Sequence, residues 1–87
     1  MNRAVQAAIA HFPDRGHAIA ELTGTDESFQ SLCEDLAEAE AALARWKGSS
    51  SPLGVARCAE YRDLVRELAA ELMAELDRYR NGKSESR

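Results

Sequence analysis

Two long amphipathic stretches separated by four small residues leave this chain few ways to fold. From Asp26 to Lys47 the apolar residues recur at heptad spacing. With Phe29 as position a, the a sites are Phe29, Leu36 and Leu43, and the d sites are Leu32, Ala39 and Trp46. From Pro52 to Arg80 the sequence Tyr61, Val65, Leu68, Leu72, Leu76 and Tyr79 advances by 4, 3, 4, 4 and 3 residues. The mean step of about 3.6 is the period of a straight amphipathic helix rather than of a strict coiled coil. The linker Gly48-Ser49-Ser50-Ser51 is too short to carry the chain anywhere else, so the two helices are predicted to pack as an antiparallel, coiled-coil-like hairpin.

Local punctuation sets the remaining boundaries. Thr25 reads as an N-cap, with Asp26 and Glu27 placed where the positive end of a helix favours acids. Gly48 reads as a left-handed C-cap, and Ser51 before Pro52 as the start of the last helix. Asn81-Gly82 is predicted to end that helix, leaving 82–87 as a disordered tail. Upstream, Val5, Ala8, Ile9 and Phe12 mark a short helix over 2–11, prone to fray and closed by Pro13. A second short helix over 13–22 carries Ile19 and Leu22 and stops at Gly24. With three Val, two Ile and two Thr in 87 residues there is little material for a sheet. The expectation is therefore an all-α fold: one helical domain over 1–81, with short helices 2–11 and 13–22 and long helices 26–47 and 52–80.

A hairpin turning near Ser50 brings together positions whose numbers sum to roughly 100, which pairs Leu36 with Leu64, Leu32 with Leu68 and Phe29 with Leu72. Cys33 and Cys58 would then lie about 13 Å apart along the axis at helical rise, too far for a disulfide. The helix carrying Ile19 and Leu22 should fold over the open end, near Leu72, Leu76 and Tyr79. Leu53, Val55, Leu64 and Met73, together with Trp46 and Cys33, widen the apolar surface beyond one seam. A hairpin this small gains the missing burial by self-association, so a homo-oligomer is expected; coverage by the N-terminal helices is the alternative.

Composition excludes several kinds of partner. Fifteen acids against eleven bases give a formal charge of −4, and no basic stripe exists to displace counterions from phosphates, so no nucleic-acid partner is expected. The basic residues of the tail, Arg78, Arg80, Lys83 and Arg87, are diluted by Asp77 and Glu85. No apolar run approaches the ~18 residues needed to cross a bilayer, and the first residues are too interrupted for a secretory signal, so no membrane partner is expected and the expected location is cytoplasmic. Cys33 and Cys58 lack companions at metal-ligand spacing, and His11 and His17 are not one helical turn apart. Neither a metal nor a cofactor is expected, and no catalytic residue is assigned.

Four groups of residues have the right chemistry for a site, and each has a commoner structural role. Glu34, Asp35, Glu38 and Glu40 could act as paired carboxylates only inside a pocket that a narrow hairpin does not offer; as a solvated acidic face they could dock a basic partner. Arg62 and Arg66, with Glu60, Asp63 and Glu67, form ordinary i, i+3 and i, i+4 pairs, or an anion cluster in an enzyme whose pocket lies between subunits. Cys33 and Cys58, the latter beside Arg57, could be reactive thiols of a redox-responsive regulator; a buried Cys acting as a small apolar residue is commoner. Trp46 and Tyr61 could anchor a partner, but at helical spacing they are more often core. No glycine-rich phosphate loop, metalloprotease or nucleophile-elbow motif is present.

Phe12-Pro13-Asp14, Ile19, Leu22 and Thr25-Asp26-Glu27-Ser28-Phe29, followed by Leu32, Leu36 and Arg45-Trp46, resemble the YdcH-like family of small bacterial proteins. The resemblance spans about Phe12 to Leu76 and is best at Phe12-Pro13 and at the Asp26, Phe29, Leu32 spacing. It implies a helical hairpin behind a short Phe-Pro helix and supplies no catalytic residues. The family's last helix is usually richer in lysine, and the first eleven residues look like an extension of its pattern. The function these observations favour is a non-catalytic protein-interaction or oligomerisation module.

Overall fold

The structure, a computed structural model, describes residues 3–85, with side chains through 81. Its described residues are all-α. Helix α1 spans Arg3–His11, a 3₁₀ turn spans Pro13–Arg15, and α2 spans Gly16–Thr25. The two long helices are α3, Glu27–Lys47, and α4, Gly54–Glu85. No described helix is long and apolar enough to cross a membrane.

The helix ends show which local signals dominate. Pro13, lacking an N–H, sits in the first turn after Phe12, but the turn it opens is 3₁₀, and α-helical bonding begins only at Gly16. Gly24 does not stop α2, which runs on to Thr25. The Thr25 hydroxyl donates back to the Glu21 carbonyl at 3.2 Å, so the N-cap of α3 is Asp26, whose Oδ1 accepts from the Phe29 N–H at 3.1 Å. A carboxylate is the stronger cap here because it also sits at the positive helix end. Gly48 adopts φ −85° and ψ −1°, right-handed rather than left-handed, and its N–H bonds back to the Ala44 carbonyl.

Pro52 and Leu53 belong to the turn rather than to α4, although Ser51 Oγ does accept from the Leu53 N–H at 3.1 Å. Gly54, the first residue of α4, is buried: a Cβ there would lie 3.5 Å from the Ser49 carbonyl oxygen and 3.6 Å from that of Trp46. At the far end α4 passes through Asn81-Gly82 to Glu85, so 82–85 is helix rather than disordered tail; residues 86–87, and Asn2 at the start of the first predicted helix, lie outside the described residues. A helical glycine costs only about 1 kcal/mol, which a helix already anchored through Tyr79 can absorb.

The core explains why α3 departs from a strict heptad. Phe29, Cys33, Leu36, Ala39 and Ala42 are its buried residues, while Leu32, Leu43 and Trp46 are half-buried. A two-helix seam would centre on Leu36 and Leu43. Here α3 is covered on a second side by α1, whose Ala4, Val5 and Ala8 are buried in the same core, so the inward face rotates to take in Cys33. Helix α1 is thus a packed element rather than a fraying end. On α4 the inward stripe is Tyr61, Val65, Leu68, Leu72, Leu76 and Tyr79, with the three leucines from 68 to 76 buried, as the 3.6-residue period predicts. Leu64, expected inward, is 40% exposed, and it is half-buried Val65 that packs against the core.

Ile19 and Leu22 join that core near the far end of α4. The Tyr79 hydroxyl hydrogen-bonds Glu21, and Arg15 lies 3.2 Å from Asp77, so the 3₁₀ turn and α2 are tied to α4 near its last turns. The molecule is a rod of 55 × 22 × 21 Å with a radius of gyration of 14.7 Å, against about 12 Å for a compact chain of this length.

Gly24 supplies a test of local structure. Its backbone is not left-handed, and an added Cβ would meet nothing within 4 Å. Gly24→Ala is expected to stabilise the protein by about 0.5–1 kcal/mol through the lost freedom of the unfolded chain. The midpoint of urea unfolding should rise with an unchanged slope; a lower midpoint would mean that α2 does not run through this position in solution.

Candidate functional site

An open groove of about 620 Å³ lies between α3 and α4. Its α3 wall is formed by Asp35, Glu38, Ala42 and Arg45, which succeed one another at steps of three, four and three and so share one helix face. Its α4 wall is Tyr61, Leu64 and Leu68. Apolar side chains and small alanines make the floor, and charges make the rim.

Some surface charges are paired and others are not, and the rim charges fall in the second group together with residues such as Glu34, Lys47, Glu67 and Glu71. Glu40 is held against His11, Arg57 lies 2.9 Å from Glu60, and Arg66 lies 3.4 Å from Asp63; Arg78 pairs with Glu75. Asp35, Glu38 and Arg45 make no ion pair with any described residue. An acidic end and a basic end of one groove wall are therefore both open to an outside partner.

The four acids singled out in the sequence do not converge. Glu40 turns toward α1 and His11, Glu34 is exposed beside Cys33, and Asp35 and Glu38 stand on the groove rim. Arg62 and Arg66 do not form an anion pocket: Arg66 is exposed and paired with Asp63, whereas Arg62 lines a shallow concavity at the turn with Trp46 and Cys58. His11 rests at the end of α1 against Glu40 and Phe12, and His17 is exposed, 3.7 Å from Glu21. Among the described residues no group of three or more His, Cys, Asp or Glu is placed to hold a metal ion.

The two cysteines are free and differ in environment. Cys33 is fully buried in the core, and that burial, with the Glu34 carboxylate adding to it, pushes its thiol up to about 11. A thiol held protonated and out of reach of solvent is a poor nucleophile, so Cys33 is packing rather than chemistry. Cys58 is half-buried at the turn, and the neighbouring guanidinium of Arg57 is engaged with Glu60.

The ties His11 to Glu40, Arg15 to Asp77 and Tyr79 to Glu21 bridge residues far apart in sequence, so no local spacing announces them. The groove was not anticipated, because a narrow hairpin was expected to offer no pocket and Tyr61 and Leu64 were placed on its seam. No protein-family model, curated protein or solved structure matches the chain.

Proposed function

We propose that this chain is a non-catalytic protein-interaction module whose working surface is the groove between α3 and α4. The observation that carries this reading is the set of unpaired charges, Asp35 and Glu38 at one end and Arg45 at the other, bordering an apolar floor that includes 40%-exposed Leu64. Charges left unpaired around an exposed apolar strip supply orientation and encounter rate, while the strip supplies affinity.

In the same proposal α3 and α4 form an antiparallel hairpin, and the groove is the side of it that α1 and α2 leave open. Support comes from the close approach of buried Gly54 to the Ser49 and Trp46 carbonyls, and from concavities that group Ala42 with Tyr61 toward the turn and Leu32 with Glu71 toward the open end. A bacterial, cytoplasmic protein of the YdcH-like kind is part of the proposal on the strength of the residue pattern from Phe12 to Leu76.

The test is a photo-crosslinking amino acid placed at Leu64, in the groove, or at Arg66, on the exposed face of α4, in cells that carry the native gene. Adducts are expected from position 64 and not from 66. Absence of adducts from position 64, with the protein present and folded, would overturn the assignment of this surface.

A further inference from the structure

Resting on that reading, we infer that the occupant of the groove is a second copy of this chain, docked antiparallel about a twofold axis close to Ala42. The inference starts from surface area. The chain exposes 5886 Å², whereas a compact monomer of 9.6 kDa exposes about 5,100 Å². The excess is that of an elongated shape, and a standard interface takes roughly 800 Å² from each partner. The broad side of the rod, 55 × 22 Å, is large enough to provide it.

The order of charges on the groove wall selects the partner. Along one face of α3 the order is acid, acid, alanine, base: Asp35, Glu38, Ala42, Arg45. A surface with its acids on one side of a small residue and its base on the other is complementary to itself when turned through 180°, which is the requirement of an isologous contact. Glu38 and Arg45 are seven residues apart, about 10 Å at helical rise, and their midpoint lies beside Ala42. The twofold axis brings Arg45 to the partner's Glu38, and the same pair forms again on the other side. At the crossing point exposed Ala41, which carries only a methyl group, allows the two α3 backbones to approach to about 8 Å. Tyr61 and Leu64 flank that crossing and close over it.

Charge along the chain points the same way. Residues 26–44 contain six acids and no base, and residues 45–62 contain four bases and one acid. Antiparallel docking lays the basic turn region of one copy along the acidic stretch of the other. A parallel arrangement would set like against like, at a cost in both affinity and encounter rate.

The test uses the full chain, with reductant present, in sedimentation velocity and light scattering over a range of concentrations. The expected species is about 19 kDa, twice the chain mass. Arg45→Glu and Glu38→Arg, both at exposed positions outside the core, should each weaken self-association by about tenfold or more while leaving the far-ultraviolet circular dichroism unchanged. Mixed in equal amounts, the two variants should recover association, because the heterodimer sets an opposite charge at both contacts. A monomer at every concentration would overturn the second-copy inference and leave the groove to a different protein, which crosslinks from Leu64 with a mass other than a dimer's would reveal. A dimer indifferent to both charge variants, or a mixture that fails to recover, would overturn the groove and axis assigned here.

Discussion

Phe29→Ala is expected to lower the unfolding free energy by about 3–5 kcal/mol, out of the roughly 4–13 kcal/mol that a chain of 87 residues commands. Phe29 is the bulkiest of the fully buried side chains and stands at the first turn of α3, where the core continues toward Ile19 and Leu22 of α2 and Leu72 and Leu76 of α4. Truncating it removes ring contacts from several elements at once, and a rod with one side chain of core depth has little freedom to collapse into the space. The backbone N–H of residue 29 survives the substitution, so the bond to Asp26 Oδ1 is retained and the loss reports packing rather than capping. Phe29→Leu, which keeps most of the volume, should cost about 1.5 kcal/mol or less. Urea unfolding at one fixed protein concentration is the measurement, since self-association would make stability depend on concentration. A loss from the alanine variant no larger than that from the leucine variant would mean that the junction of α2, α3 and α4 is not packed as described.

That junction also marks how far the sequence could be read. The α4 stripe from Tyr61 to Tyr79 was legible residue by residue, because a helix covered on one side obeys a single period. The α3 stripe was legible at Phe29, Leu36 and Ala39, and Cys33 was rightly favoured as a small buried residue, whereas Leu43 and Trp46, read as seam positions, are only half-buried. The heptad assumed one partner, and α1 supplies a second; nothing in the spacing within α3 reveals that another helix packs beside it. Helix starts were legible to within two or three residues, Asp26 capping α3 in place of Thr25 and α4 beginning at Gly54 rather than Pro52, and helix stops were not legible where a glycine was taken to impose them. Gly24 and Gly82 are both carried through as ordinary helical residues, because glycine permits the left-handed conformation without imposing it.

The exposed apolar side chains were legible as well: Leu53, Val55, Leu64 and Met73 are outward, and Cys33, grouped with them in the sequence, is inward. The difference is again α1, which covers the flank of α3 that holds Cys33 and leaves uncovered the flank that holds Asp35, Glu38 and Arg45. One short helix therefore decides both which thiol is protected and which groove remains open. Its position rests on buried Val5 and Ala8 and on the His11 to Glu40 contact, long-range interactions that one helix's periodicity does not encode.

The protection of Cys33 carries a pH dependence whose direction is fixed by its burial. In the unfolded chain the thiol ionises near its ordinary value of 9.0, and in the folded chain only near 11, because the buried site excludes the thiolate. Below pH 9 both states hold the proton and stability is full. Between about 9 and 11 the unfolded chain has released the proton and the folded chain has not, so stability falls as the pH rises, by about 2–3 kcal/mol across that interval. The quantity to compare is the difference in slope between the wild type and Cys33→Ala, which keeps every other group and lacks this one. The wild type should lose the additional stability and the variant should not. An aromatic disulfide reagent at pH 8 supplies the kinetic counterpart: Cys58, half-buried at the turn, should react directly, and Cys33 only as fast as the core opens. Equal slopes together with equally fast reaction of both thiols would return Cys33 to the surface and revive a redox role for it. Separate slopes and separate rates would establish that the folded core holds Cys33 protonated and shielded from solvent.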